Sequence, residues 1–208
     1  MTHRSEALQS FVDIAGLAFD EFAQDPNSRR SIRQIFAALR TASSERPGPG
    51  SRLAVCSHLQ DALNLETADE TLLRLASQFK TIEPLVEWRR RSHDDGSASD
   101  NFVDGHANAM IIGPGGLEDR KDVWLGVTLM APNVRYPNHV HAPEEVYLVL
   151  SKGELRQEDE TWFSPGIGGS FYNRPNIRHA MRSVETTLFA FWALSAHAEH
   201  QPRSDPGS

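Results

Sequence analysis

Tyr136-Pro137-Asn138-His139-Val140-His141-Ala142-Pro143-Glu144-Glu145-Val146-Tyr147 packs two imidazoles, two carboxylates and two phenols into a stretch that otherwise reads as β-structure. Residues two apart in a strand share a face, so His139 goes with His141 and Glu145 with Tyr147. The opposite parity carries Val140, Val146, Leu148 and Leu150, the apolar set expected to pack against another layer. With Ala142-Pro143 as a corner that keeps register, all four polar side chains converge inside a barrel. Charged groups persist there only when paired or bound to a metal. Glu144, of the other parity, is expected in solvent or hydrogen-bonded to a loop. Downstream, Arg174-Pro175-Asn176-Ile177-Arg178-His179 adds a further imidazole. Imidazole nitrogen with carboxylate oxygen suits one borderline divalent ion, Fe(II), Zn(II), Mn(II) or Ni(II), and two His with one carboxylate leave positions open for substrate.

Around this stretch, apolar residues alternate or form short runs between turn signals. Met110-Ile111-Ile112 precedes Gly113-Pro114-Gly115-Gly116, and Val123, Leu125, Val127 and Leu129 share one strand face. Glu145 to Leu150 and Leu188 to Leu194 read as further strands, with Gly166, Gly168 and Gly169 at tight corners. Many short strands with Gly/Pro turns predict a sandwich or barrel. Residues 1–91 have a different texture. Leu8, Phe11, Val12, Ala15, Phe19 and Phe22, then Ile32, Ile35, Phe36 and Leu39 after Asp25-Pro26-Asn27, recur at helical spacing. The spacing resumes over Leu53 to Leu63 and at Leu72, Leu75, Ala76 and Phe79, with Thr67 and Glu70 as a capping box. The expected organisation is a helical region over 1–91 that covers one side of a barrel or makes a dimer contact, a linker over 92–100, a β-barrel with a metal site over 101–197 and a flexible tail over 198–208.

Composition narrows the partners. The 208 residues carry a net charge of −7, with a sequence pI near 5.7, which leaves no basic footprint for nucleic acid. The arginine-rich clusters at 29–33 and 88–91 read as helix surface. No apolar run approaches a membrane span, and Met-Thr-His-Arg-Ser-Glu lacks the build of a secretory signal, so a cytoplasmic protein is expected. Cys56, a single cysteine, reads as a small half-buried hydrophobe on a helix. His3, His58, His93, His106, His197 and His200 have no partners at ligand spacing and are assigned to the surface.

The spacing His139-x-His141-x3-Glu145, with Gly169-x5-Pro175 and His179 downstream, resembles the two motifs of the cupin superfamily. The departures are specific. Asn133 stands where a Gly is expected, Gly153 falls one residue late, and Pro175 to His179 is one residue short. With the Tyr136 and Tyr147 flanks, Pro-Asn-Ile-Arg-His-Ala and the helical N-terminal region, the chain resembles a narrower group, the cupin-type dimethylsulfoniopropionate lyases of marine bacteria. The resemblance implies a mainly β, single cupin barrel with an N-terminal α-helical region, and an enzyme that cleaves dimethylsulfoniopropionate to dimethyl sulfide and acrylate. It implies metal ligation by His141, Glu145 and His179, Tyr147 as catalytic base and Tyr136 lining the site. His139 is then a fourth ligand or a support behind the ligands.

These residue types suit that chemistry. Proton removal next to a carboxylate builds charge on an anionic group, and a divalent ion bound to the carboxylate offsets it. A phenol base needs a depressed pKa, which a metal close to Tyr147 favours. The sulfonium needs an aromatic face. Trp124, Trp162, Phe171, Tyr172, Phe191 and Trp192 are the candidates, with Trp192 and Tyr172 placed first. Cupins host many chemistries, so an Fe(II) dioxygenase on a small thiol or aromatic substrate, a sugar isomerase and a non-catalytic metal-binding sensor stay open. A small-molecule substrate and a homodimer are expected, without nucleic acid or membrane.

Overall fold

The computed structural model describes residues 3–46, 48–92 and 94–196; the tail assigned to 198–208, with His93, His197 and His200, lies outside them. Three long helices open the chain: α1 (Glu6–Phe22), α2 (Pro26–Ala38) and α4 (Glu70–Ile82), with a one-turn α3 (Leu59–Ala62) between the last two. Each long helix starts where a side chain satisfies its free N–H groups. Ser5 accepts from Leu8 N, Asp25 from Asn27 N and Ser28 N ahead of Pro26, and Asp69 from Leu72 N. The Thr67–Glu70 box is therefore corrected by two residues: Thr67 Oγ1 accepts from Asp69 N and holds the cap itself in place. The expected helix over 53–63 is a 3-10 turn, Ala54–His58, running into α3.

After β1 (Trp88–Arg89) and the short α5 (Phe102–Gly105) come seven strands: β2 (His106–Ile112), β3 (Val123–Met130), β4 (Glu144–Val149), β5 (Glu154–Gln157), β6 (Ser170–Asn173), β7 (His179–Arg182) and β8 (Leu188–Ser195). The larger sheet is antiparallel in the order β1-β2-β3-β8-β4-β6, and β5-β7 form the smaller one. The segment before β4 extends the smaller sheet through bridges Arg135↔Arg182 and His139↔His179. The result is the expected mainly β, antiparallel two-sheet barrel with a helical layer on one side. The expectation that the cluster at 88–91 is helix surface is corrected, since Trp88–Arg89 is a strand paired to Ala109 and Asn108.

The larger sheet has two unlike faces. Ala107, Ala109, Ile111, Leu125, Val127, Leu129, Val146, Leu148, Phe189 and Phe191 face the helices and share one core with Phe11, Phe19, Ile35, Leu75 and Phe79. Val140, expected in that set, is instead 52% exposed, because the chain between His139 and Glu144 is a turn and not strand. Phe79 is fully buried, with ring centroids 5.3 to 6.3 Å from Phe191, Phe189, Phe11 and Trp88. Asn133, in place of the expected Gly, has φ 60°, a left-handed conformation that Asn tolerates better than most side chains. The turn into the histidine segment is thus kept with a different residue.

Because Phe79 ties α4 to α1, β1 and β8 at once, Phe79→Ala is expected to cost about 3–5 kcal/mol of stability. Urea unfolding of the variant beside wild type measures it, and a loss below about 1 kcal/mol would mean the helical layer does not share the sheet's core.

Candidate metal centre

The inner face of the barrel gathers the polar residues. His139 and His141 arrive from the segment before β4, Glu145 and Tyr147 from β4, and His179 opens β7. One ring nitrogen from each of His139, His141 and His179 falls within 4.8 Å of the others. Glu145 Oε2 lies 3.2 Å from both His141 Nε2 and His179 Nε2. Donor atoms about 2.1 Å from a shared ion sit roughly 3–3.4 Å apart, so the two Glu145 spacings match one divalent ion and the imidazoles are gathered around the same point.

The orientation of the rings is set by the backbone. Nδ1 of His139 faces Pro137 O at 3.0 Å, Nδ1 of His141 faces Pro143 O at 2.8 Å, and Nδ1 of His179 faces Ile177 O at 3.0 Å. A carbonyl accepts only, so each Nδ1 carries a proton and each Nε2 faces inward; that of His141 hydrogen-bonds to Glu145 Oε2 at 3.2 Å, a contact an ion between the two would replace. His179 Nε2 is buried with no hydrogen-bond partner. Its 3.2 Å approach to Glu145 Oε2 is too poorly aligned for a hydrogen bond, as expected of two atoms aimed at a third point. The turn that places His179 contains Asn176 at φ 59°, with Asn176 N donating to His141 O.

Burial alone would push the Glu145 carboxyl up, but His141 and His179 outweigh it and hold the group well below the usual carboxylate range. Asn173 Nδ2 donates to Glu145 Oε2 at 3.0 Å, and Gln157 Nε2 donates to Asn173 Oδ1 at 2.9 Å. Burial and the neighbouring His179 lower His139 to about 3, which keeps that ring neutral. Burial lowers His141, yet Glu145 more than compensates and leaves it raised. Tyr147 is raised well above the ordinary phenol value, first by burial and then by Glu145 beside it. Burial also raises Tyr136, opposed by the Arg91 charge and by Asn108.

Of the two aromatic residues placed first for the sulfonium, the structure brings one to the site. Trp192 is paired directly to Tyr147 across β4 and β8. Its indole lies over Gly126, where a Cβ would sit 2.2 Å from the ring. Phe171 flanks Tyr147 from β6. Tyr172 points the other way: its hydroxyl donates to Glu144 Oε2 at 2.6 Å, and Arg30 pairs with the same carboxylate at 3.0 Å. The Tyr172 assignment is corrected accordingly, and Glu144 is hydrogen-bonded to Tyr172 and α2. Phe191 belongs to the helix-facing core, and Trp162 is stacked among Arg135, Arg156 and Arg182.

His106, expected at the surface, is fully buried. It stacks on Phe102 with ring centroids 3.9 Å apart and accepts from Arg91 N at 2.9 Å. Beside it runs a chain of hydrogen bonds: Trp192 Nε1 to Thr128 Oγ1, Thr128 Oγ1 to Asn108 Oδ1, and Asn108 Nδ2 to the Tyr136 hydroxyl at 3.0 Å. Asn108 and Thr128 are cross-strand partners. The signal in the sequence is parity: His106 and Asn108 sit two apart in an otherwise apolar strand.

Comparison with known proteins agrees with this geometry. A profile of the family described as dimethylsulfoniopropionate lyase matches residues 27–190. A Cereibacter sphaeroides protein that carries the name putative dimethylsulfoniopropionate lyase DddL is 29% identical over 100 residues, 47% of this chain and 42% of that protein. The matched segment thus spans less than half of that relative's length. A chain from the crystal structures of DMSP lyases RdDddP and RnDddQII is similar with a TM-score of 0.68 at 21% identity, covering 91% of this chain and 92% of that one. DMSP lyase DddQ from Ruegeria pomeroyi DSS-3 gives 0.67 at 20% identity, over 92% and 93%. At such identities the likeness is one of fold, and its extent takes in the helical layer as well as the barrel. The profile match runs from α2 into β8 and includes both histidine segments, and on it the chain belongs to the dimethylsulfoniopropionate lyase family.

Proposed function

We propose that the protein is a metal-dependent carbon–sulfur lyase that cleaves dimethylsulfoniopropionate to dimethyl sulfide and acrylate by β-elimination. The observation that carries the proposal is the convergence of three imidazole nitrogens and one buried carboxylate beside Tyr147 and Tyr136, in a chain of this family. His141, Glu145 and His179 are the proposed metal ligands, and His139, with its Nδ1 proton equally committed, joins them as the fourth. When bound, the divalent ion supplies a Lewis acid that offsets charge on the substrate carboxylate and on a nearby phenolate; Fe(II), Zn(II), Mn(II) and Ni(II) all suit these donors.

Tyr147 is the proposed base, taking the proton from the carbon next to the carboxylate. The electron pair of that C–H bond becomes the new carbon–carbon double bond, and the pair of the carbon–sulfur bond leaves with sulfur as neutral dimethyl sulfide. No acid is needed for the leaving group. Trp192 and Phe171, on either side of Tyr147, offer aromatic faces to the sulfonium before the bond breaks. Tyr136 is held by Asn108 on the wall beside the imidazoles. Among the described residues no helix is long and apolar enough to cross a membrane.

Headspace dimethyl sulfide from purified, metal-analysed protein tests the proposal. Release is expected at equal rates with and without oxygen, and Tyr147→Phe is expected to lose about 10²–10⁴ of it with metal content unchanged. Full metal occupancy without sulfide release would sink the lyase assignment, and release that consumes oxygen would point to a dioxygenase.

The ligand set has its own check by elemental analysis. Wild type is expected to hold about one divalent ion per chain, and His179→Ala or Glu145→Gln to fall well below that. Stripping the ion with a chelator is expected to lower the unfolding free energy by about 3 kcal/mol where free metal had stood near 100 times its Kd. Unchanged metal content in both variants would remove these residues from the ligand set.

A further inference from the structure

We infer that Arg91 is the anchor for the substrate's carboxylate, an inference that rests on the proposed lyase reading and gives that substrate its orientation. Three consecutive arginines, Arg89, Arg90 and Arg91, follow Trp88, and they do different things. Arg89 pairs with Glu87 and Arg90 with Asp104, both outward. Arg91 turns toward the barrel interior, its guanidinium carbon 5.9 Å from the centroid of the Tyr136 ring. Its Nε is buried without a hydrogen-bond partner. Among the described residues no carboxylate sits at ion-pair distance from it.

Arg91 is a half-buried cation beside the Tyr136 ring with no carboxylate among the described residues in ion-pair reach, so an anion brought next to it would gain a charge-assisted partner. The fold holds Arg91 there. The register Arg89↔Asn108 brings residue 91 opposite His106, and the buried His106 ring accepts from Arg91 N at 2.9 Å while its Nδ1 sits 2.5 Å from Phe102 O. His106 is thereby a positioning residue for Arg91, which accounts for a fully buried histidine outside the imidazole cluster.

The proposed substrate is a zwitterion, so its two ends need opposite surroundings. Arg91 and Tyr136 lie side by side at one end of the polar cluster. Trp192, on β8, lies two strands from Asn108 along the Trp192–Thr128–Asn108–Tyr136 hydrogen-bond chain and three from Arg91, about 10 and about 14 Å at the usual strand spacing. A carboxylate at the Arg91 end leaves the sulfonium toward Trp192 and Phe171, with Tyr147 beside the carbons between them. A guanidinium fork takes a carboxylate with directed charge-assisted hydrogen bonds. It would select substrates with a free carboxylate over amides and esters of the same shape.

The test compares wild type, Arg91→Gln and Arg91→Lys at equal metal content. For dimethylsulfoniopropionate, Arg91→Gln is expected to raise KM about 10- to 100-fold, the loss of one charge-assisted contact, with kcat within about threefold. Arg91→Lys, which keeps the charge and the backbone contact to His106, is expected to recover much of that loss. Binding of propionate should weaken in Arg91→Gln by the same factor as KM rises, while binding of the neutral isostere propionamide stays unchanged. Calorimetry reads both ligands without turnover, so the Arg91 assignment is decided even if wild type releases no dimethyl sulfide and the lyase reading fails. Propionate binding unchanged in Arg91→Gln, or propionamide binding lost in parallel with propionate, would overturn the anchor. If Arg91→Gln does not fold, wild-type preference for propionate over propionamide and a weakened propionate affinity in Arg91→Lys support it, and equal binding of the two ligands by wild type refutes it.

Discussion

Glu145 is a carboxylate with 4% exposure inside a barrel, and the surrounding structure answers the charge it brings. An isolated anion at that depth would be protonated or would unfold its surroundings. Here one oxygen is approached by His141, His179 and Asn173, and the group stays ionised. The imidazoles are in turn constrained by peptide carbonyls two residues away. Two of those carbonyls belong to Pro137 and Pro143, residues with fixed φ. The ring orientations are therefore set largely by local chain geometry, before any ion contributes.

The sheet divides its duties by face. On the helix side, Leu125, Val127, Phe189 and Phe191 meet α1 and α4 in one continuous core. This apolar burial supports an inner face that includes His106, Asn108, Thr128 and Glu145, across from His179 on the smaller sheet. Six strands with polar residues on one side would be hard to stabilise from that side alone. The helical layer is in this sense part of the barrel, and it has no separate core between it and the sheet.

Parity made much of this legible from sequence. His139, His141, Glu145 and Tyr147 could be placed on one face because β-structure has a strict period of two, and the helix-facing residues of α1, α2 and α4 could be read from their spacing of three and four. Val140 takes the side opposite to His139 and His141, but it lies in the irregular stretch 140–143, where no layer covers that side. Tyr172 escaped the rule because β6 pairs in a register that puts Phe171, not Tyr172, opposite Tyr147, and that register is a long-range property. Arg91 and His106 were invisible for a related reason. Each acquires its role from a partner fifteen residues away across a strand pair, and a run of arginines reads the same in sequence whether one member turns inward or none does.

Gly126 shows how closely the inner face is shaped. Any Cβ there would strike the Trp192 indole at 2.2 Å and come 2.7 Å from Ala109 O. Trp192 therefore packs directly over the β3 backbone at Gly126, with its Nε1–H committed to Thr128. That hydrogen bond begins the chain that ends on the Tyr136 hydroxyl, where Asn108 is the donor. A hydroxyl that accepts from Asn108 must direct its own proton elsewhere, which leaves the Tyr136 proton free to turn toward the imidazoles. One glycine, through the packing of one indole and two polar side chains, thus bears on the geometry of a hydroxyl carried by the segment before β4.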